Sequence, residues 1–144
     1  MNREEVERYL LADGWPCQTL DDSTFLSGFS TQDQERDQKR EQDREQDRFR
    51  LFVRVTEDWL CLTIVPFVTA PSGQAAAQAL YRRLLELNHE LTLAKFAIDD
   101  RNVILTVELP LEELSPSQLR DGLDAIVYYA NAHYAELLSL TLLS

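Results

Sequence analysis

Residues 49–67, FRLFVRVTEDWLCLTIVPF, contain two β-strands whose side chains alternate between two faces. In residues 49–55 every second side chain from Phe49 to Val55 is apolar, and a period of two is typical of a strand with one buried face. Residues 59–67 alternate in the same way, and Pro66 indicates that this strand reaches an edge or leaves the sheet there. The apolar face of the second strand is formed by Leu60, Leu62 and Ile64.

The connection between these strands is short enough for a tight hairpin. Only Glu57 and Asp58 separate them, so we expect Thr56 to face Trp59 across the turn. This register joins the two apolar faces into one surface for the core, through the pairs Val55 with Leu60, Val53 with Leu62 and Leu51 with Ile64.

The opposite face of the hairpin mixes arginines with large apolar side chains. We predict that it binds another protein, because aromatic residues and arginine contribute most of the energy in protein interfaces. The alternative is that a helix of the same chain or a symmetric partner covers this face. The predicted partner-binding residues are Arg50, Phe52, Arg54, Trp59, Val65 and Phe67.

The elements around the hairpin predict an α+β fold. A first helix begins behind Asn2 as its cap, with Glu5 three positions later, and a last helix begins behind Ser115 with Pro116 at its first position. Between them we expect a strand at 24–30, a helix at 74–88, and a second hairpin with strands at 94–98 and 103–107. The order is helix, three strands, helix, two strands, helix, which predicts a largely antiparallel sheet packed with helices.

One segment differs from the rest of the chain. Residues 31–48 read TQDQERDQKREQDREQDR, with seven acids, five bases and no hydrophobic residue. Such a composition does not offset the entropy of ordering by burial, so we expect a flexible loop insertion within a single domain of residues 1–144. The alternative is a solvated helix, which like charges four residues apart, such as Arg40 and Arg44, disfavour.

Composition excludes several classes of protein. The net charge of −11 argues against nucleic-acid binding, which requires clustered basic residues. No apolar run approaches the roughly 20 residues of a membrane helix, and the acidic start of the chain is unlike a secretory signal. Cys17 and Cys61 do not form a zinc or disulfide pattern. We therefore expect a cytoplasmic protein without contact to membranes.

The chemical motifs of enzymes are missing from the sequence. The four glycines are isolated, so no phosphate loop is present. His133 and Glu136 share a helix face but have no second motif to complete a metal site, and Cys61 has no evident base to activate it. We predict no catalytic, cofactor or metal site and a protein that is not an enzyme; the alternative is an enzyme with an unrecognised site.

Five further stretches are specific enough to compare with known families: GWP at 14–16, LLELN at 84–88, AKFAID at 94–99, VILTVELP at 103–110 and LRDGLD at 119–124. They resemble the YbjN family, which has the type III secretion chaperone-like fold. The resemblance covers nearly the whole chain except residues 31–48. It implies the order α-β-β-β-α-β-β-α that the patterns predict.

The resemblance also implies a function in binding. The family includes sensory transduction regulators, and relatives by fold bind extended segments of secreted proteins, commonly as homodimers. We therefore expect a chaperone-like binding module that forms a homodimer and holds a protein segment on a sheet and helix surface, with Arg50 and Arg54 pairing with acids. The alternative is a signalling regulator that acts on one folded partner.

Overall fold

The computed structural model describes residues 1–30 and 48–143. The predicted insertion at 31–48 lies outside these residues except for Arg48, at which a strand begins. The elements in chain order are helix α1 (Arg3–Ala12), strands β1 (Gln18–Thr19), β2 (Thr24–Ser30), β3 (Arg48–Val55) and β4 (Trp59–Ile64), helix α2 (Gln74–Glu90), strands β5 (Ala94–Asp99) and β6 (Asn102–Pro110), and helix α3 (Pro116–Thr141).

The predicted α+β class and element order are confirmed, with one strand added. The six strands form one sheet in the order β1-β2-β3-β4-β6-β5, and each neighbouring pair is antiparallel. The unexpected strand is β1, whose two residues pair with Leu26 and Phe25. Both residues of β1 are exposed, so no alternation of apolar residues could have predicted it.

The register of the β3–β4 hairpin agrees with the prediction. Val55 pairs with Leu60 and Val53 pairs with Leu62. Thr56 closes the turn, because its backbone N–H donates to the Trp59 carbonyl oxygen at 2.8 Å and its hydroxyl accepts from the Trp59 N–H at 3.0 Å. The pair of hydrogen bonds holds a turn whose two central residues, Glu57 and Asp58, are not of the favoured Asn-Gly type.

The core lies between one face of the sheet and the helices. Its strand side chains include Phe25, Leu51, Val53, Leu60, Leu62, Leu105 and Val107, all fully buried. The helices add apolar side chains at helical spacing, which are Val6, Leu10, Leu80, Leu84, Leu87, Leu119, Leu123, Ile126, Ala130 and Leu137. Full burial of each valine, leucine, isoleucine or phenylalanine side chain among them contributes about 1.5–3 kcal/mol.

Local signals start two of the helices as predicted. The Asn2 side chain accepts a hydrogen bond from the Glu5 N–H at 2.9 Å at the start of α1. At the start of α3 the Ser115 hydroxyl accepts from the Gln118 N–H, and the Gln118 side chain accepts from the Ser115 N–H. These bonds satisfy backbone donors that a helix leaves without partners at its first turn.

A glycine allows α3 to lie close to the sheet. A Cβ atom on Gly122 would lie 2.9 Å from Leu109 Cδ1, 3.3 Å from Val107 Cγ1 and 3.4 Å from Leu62 Cδ1. Glycine has a low helix propensity, but its lack of a side chain allows α3 to lie in close contact with strands β4 and β6. Among the described residues, none of the helices has the length and apolar character needed to cross a bilayer.

Candidate functional site

Among residues 1–30 and 48–143, no helix packs on one face of the sheet. The buried side chains of α1, α2 and α3 join the core on the other face, and along β3 the buried residues alternate with more exposed ones. The uncovered face, called the open face below, continues across β2, β3 and β4 through cross-strand neighbours. Phe52 at its centre is flanked by Leu26 on β2 and by Thr63 on β4.

Four of the six predicted partner-binding residues lie together on the open face. Arg50 and Arg54 are exposed, Phe52 is partly exposed, and Trp59 has 47% of its surface accessible. Val65 follows directly after the end of β4 and is partly exposed. The face thus combines aromatic rings with two guanidinium groups.

The prediction for Phe67 is wrong, because this residue belongs to the core. It is only 4% exposed, and its ring centroid lies 5.5 Å from those of Phe49 and Tyr134 and 5.8 Å from that of Phe96. Strand β4 ends at Ile64, and the Phe67 N–H donates to the Val103 carbonyl oxygen at 2.7 Å. The strand alternation that predicted an open-face position therefore does not extend to Phe67.

Strand β2 adds Leu26 and Gly28 to the open face, and neither was among the residues predicted to bind a partner. Leu26 is the cross-strand partner of Phe52, and Gly28 is the cross-strand partner of Arg50. The alternation in residues 24–30 indicates that Leu26 faces away from Phe25, but it does not say which residue Leu26 meets. That pairing depends on the register across residues 31–47, which no local pattern in the sequence sets.

The arginines of the open face form no ion pair with another described residue. Arg50 lies 6.0 Å from the centroid of the Phe52 ring. In residues 1–30 and 48–143 neither Arg50 nor Arg54 forms an ion pair, whereas Lys95 and Glu108, farther along the sheet, pair at 3.1 Å. The two guanidinium groups are therefore available to anions, on a chain whose net charge is −11.

The surroundings of Cys61, the cysteine on the open face, raise its pKa. Burial and the nearby Glu108 carboxylate raise the pKa of Cys61, although Arg54 and Lys95 oppose the shift. Burial and Glu7 likewise raise the pKa of Cys17. A raised pKa lowers the thiolate fraction at neutral pH, and the thiolate is the reactive form. Cys61 lies between its cross-strand neighbours Arg54 and Glu108 on the open face.

Among the described residues, the open face borders an edge of β2 that has no neighbouring strand, called the free edge of β2 below. Strand β1 pairs with Leu26 and Phe25 only, so the backbone of β2 beyond Leu26 has no neighbouring strand on that side in the described chain. A groove of about 460 Å³ lies beside this edge. It is lined by Pro16, Cys17, Gln18, Leu26, Ser27, Gly28, Phe49 and Arg50.

A larger cavity lies at the end of the hairpin and shares Trp59 with the open face. Its volume is about 790 Å³. The acids Asp22, Glu57, Asp58 and Glu112 line it together with Arg3, Val55 and Pro110. Arg3 already has partners within the chain. Its guanidinium lies 4.5 Å from the Phe25 ring centroid and 4.0 Å from a Glu7 carboxylate oxygen.

The residues considered for metal binding have other partners. The Glu136 carboxylate accepts two hydrogen bonds from the Arg83 guanidinium. The His133 ring stacks on Tyr129 with centroids 6.2 Å apart and meets the edge of Phe96 at 6.3 Å. Within the described ranges, no group of three or more His, Cys, Asp or Glu residues is arranged to hold a metal ion.

Residues 20–139 match a protein-family model described as T3SS (YopN, CesT) and YbjN peptide-binding chaperone 1. No curated protein sequence matches the chain. The match covers all six strands except β1, and it includes the whole of the open face.

Solved structures share the fold at low sequence identity. A chain of the heterodimeric ExoU-SpcU complex from the type III secretion system of Pseudomonas aeruginosa superimposes with a TM-score of 0.57 and 17% identity, over 95% of this chain and 98% of that chain. YbjN from E. coli gives a TM-score of 0.62 and 10% identity over 94% and 93% of the two chains. A chain of the ExsC-ExsE complex gives 0.57 and 14% over 95% and 97%.

Proposed function

The chain belongs to the family of T3SS and YbjN peptide-binding chaperones, and we propose that it binds an extended, acidic segment of a partner protein on its open face. A protein-binding module of chaperone type is the function of the family. The observation that carries our assignment of the surface is the row Arg50, Phe52 and Arg54 on β3, which no helix of the described chain covers and which lies beside Leu26 and Trp59.

The apolar part of this surface supplies the affinity. Phe52, Leu26 and Trp59 expose apolar area, and burial of such area contributes about 25 cal/mol per Å². Aromatic side chains at the centre of an interface contribute more than the surrounding contacts, provided that water is excluded around them. We therefore expect Phe52 and Trp59 to be the two side chains whose loss weakens binding most.

The arginines supply the preference for acidic segments. Arg50 and Arg54 lie four residues apart on one strand, a separation of about 13 Å. An extended segment with acidic residues at positions i and i+4 has the same spacing, so that both carboxylates reach a guanidinium at once. Because the whole chain is strongly acidic, repulsion elsewhere on its surface would confine such a segment to this face.

The free edge of β2 offers a second part to the same site. The backbone groups of Gly28 and Ser30 that face away from β3 have no strand beside them in the described residues, and an extended segment can add there as a further strand. Its side chains would then alternate between the open face and the groove of about 460 Å³ next to Gly28. One extended segment could therefore pair with the free edge of β2 and then continue across the open face.

We also propose a homodimer in the cytoplasm. The helical layer exposes Leu85 on α2 at 71% and Tyr128 on α3 at 67%, and a second copy would cover such residues. The two free cysteines fit a reducing compartment. We propose no catalytic step, because the family is described as peptide-binding chaperones.

Peptide binding measured by fluorescence anisotropy tests this function. The probe is a labelled 12-residue peptide with alternating valines and two glutamates four residues apart, and the control peptide carries glutamine in place of glutamate. We expect the acidic peptide to bind more tightly, and Phe52→Ser and Trp59→Ser each to weaken it by at least about tenfold. The control variant is Leu11→Ser, at an exposed position of α1. Equal binding by Phe52→Ser, Trp59→Ser and the unaltered protein would overturn the assignment of the surface.

The conformation of the bound partner distinguishes a chaperone from a signalling regulator. A photo-crosslinking amino acid in place of Phe52, used in the full chain, links to whatever occupies the open face. Mass spectrometry of the products reports whether the linked positions lie in extended segments of several proteins, as the proposal expects. Links to the folded surface of one protein would favour a signalling regulator instead.

A further inference from the structure

A side chain from α2 is hydrogen-bonded to the outer edge of β5, which is the edge that faces away from β6. Asn88, in the last turn of α2, donates from Nδ2 to the Phe96 carbonyl oxygen at 2.9 Å and accepts at Oδ1 from the Phe96 N–H at 2.7 Å. The side-chain amide thus makes the two hydrogen bonds that the backbone of a neighbouring strand would make to a residue of β5. Buried Leu84 and Leu87 anchor the helix turn that carries Asn88.

The remaining outward groups of β5 do not form a continuous ladder. Backbone groups of a strand alternate in direction, so those of Lys95 and Ala97 face β6 whereas those of Ala94, Phe96 and Ile98 face outward. The Ala94 N–H already donates to the Thr92 carbonyl oxygen at 2.8 Å. Within the described chain, Ile98 is therefore the one outward residue of β5 whose N–H has no acceptor.

We infer that Asn88 is an edge-closing residue, which prevents β5 from pairing with β5 of a second copy and thereby directs strand addition to the β2 edge. An exposed row of unpaired backbone groups is a template for association with another chain. In the described chain, the edge of β5 that Asn88 occupies and the free edge of β2 lie on opposite sides of the sheet. The statement about β5 is independent of the proposed function, whereas the direction of strand addition to β2 rests on it.

Removal of the amide side chain should convert β5 into an association surface. In Asn88→Ala, we expect sedimentation velocity to show concentration-dependent association beyond the state of the unaltered protein. We expect hydrogen exchange of the Phe96 amide to accelerate by about tenfold, as the loss of its hydrogen bond predicts. In Asn88→Asp the carboxylate still accepts from the Phe96 N–H but faces the Phe96 carbonyl oxygen, so partial association is expected.

Two further variants make the test specific. Glu86→Ala changes an exposed side chain of the same helix and should leave association unchanged. Ala97→Lys, added to Asn88→Ala, places a second charge beside Lys95 on the edge strand and should suppress the association, because lysines oppose pairing of edges. General unfolding of Asn88→Ala would not be corrected in this way.

The outcomes separate this inference from the proposed function. A folded Asn88→Ala or Asn88→Asp protein that associates no more than Glu86→Ala would overturn the role of Asn88, whatever the peptide experiment shows. If Asn88→Ala associates as expected but the valine-glutamate peptide binds neither protein, the edge-closing role stands and the proposed function fails. If the peptide binds and crosslinks to β5 of the unaltered protein, the direction of strand addition is wrong.

Discussion

Phe67 stacks on Phe49, with ring centroids 5.5 Å apart and ring planes inclined by 26°. Phe49 also contacts Phe29 at 5.2 Å and the edge of Tyr134 at 5.1 Å, so the two phenylalanines join β2, α3 and the segment after β4. Aromatic pairs of this kind contribute about 0.5–1.5 kcal/mol beyond the burial of their area. Phe67 therefore stabilises the core and is not available to a binding partner.

A comparison of two phenylalanine variants tests this assignment. Phe67→Ala should lower the free energy of unfolding by about 3–5 kcal/mol, because it leaves a cavity among packed rings. Phe52→Ala, on the open face, should cost much less, because Phe52 is partly exposed. Urea unfolding followed by circular dichroism measures both values. Equal losses for the two variants would mean that the open face is as well packed as the core.

The salt dependence of binding tests the role of Arg54. For the acidic peptide, Arg54→Gln should raise the dissociation constant several-fold at low ionic strength, since it removes one charge-assisted contact. The difference from the unaltered protein should nearly vanish at 1 M salt, where the Debye length is about 3 Å. Lys95→Gln serves as the matched control, because Lys95 already pairs with Glu108. A peptide affinity that is independent of salt would contradict the proposed pairing.

A larger side chain at Gly122 tests the close approach of α3 to the sheet. Gly122→Val should destabilise the protein by at least about 1–3 kcal/mol, because its side chain would overlap Leu109 and Val107. Ala135→Val, at an exposed position of the same helix, changes helix propensity without this contact. Thermal unfolding of both variants gives the comparison. A stability loss no larger than that of Ala135→Val would show that α3 shifts to accept the larger side chain.

Protonation of His133 should weaken the fold in mild acid. Burial against Tyr129 and Phe96 lowers the pKa of His133 below its ordinary value of 6.5; Arg83 acts in the same direction, whereas Glu136 and Glu90 oppose it. A lowered pKa in the folded state means that the neutral ring contributes stability above pH 6.5. That contribution is lost as the pH falls from 6.5 through the pKa of the folded state.

A histidine variant isolates this effect from the titration of carboxylates. We expect the melting temperature of the unaltered protein to fall between pH 7 and pH 5, and His133→Phe to show a smaller fall over that range. His89→Phe, on an exposed residue of α2, is the control and should keep the dependence of the unaltered protein. The assignment fails if His133→Phe and the unaltered protein lose the same stability on acidification.

Several parts of the fold follow from local patterns. Alternation in residues 49–64 determines which side chains of β3 and β4 enter the core, and the two-residue turn determines their register. The caps at Asn2 and Ser115 determine where two helices begin. These features depend on residues close together in the chain, which is why periodicity and turn chemistry predict them.

The candidate site depends partly on contacts between distant segments. Alternation placed Arg50, Phe52, Arg54 and Trp59 on one face, but it could not show whether a helix covers that face. The alternation also predicted that the second strand continues to Phe67. In the structure the chain leaves the strand before Phe67, which bonds to Val103, and a contact across 36 residues leaves no local pattern. Neither the pairing of Leu26 with Phe52 nor the bonds from Asn88 to Phe96 leave a periodic signal.

The sequence by itself determined the class of fold, the order of the main elements and the residue types of the open face, since hydrophobic periodicity and caps act within a few residues. Only the tertiary structure decided that, in the described residues, helices α1, α2 and α3 pack on the other face of the sheet, that Phe67 belongs to the core, and that Asn88 bonds to the edge strand β5. The physical reason is that burial and edge pairing are properties of surfaces that meet only after the chain has folded.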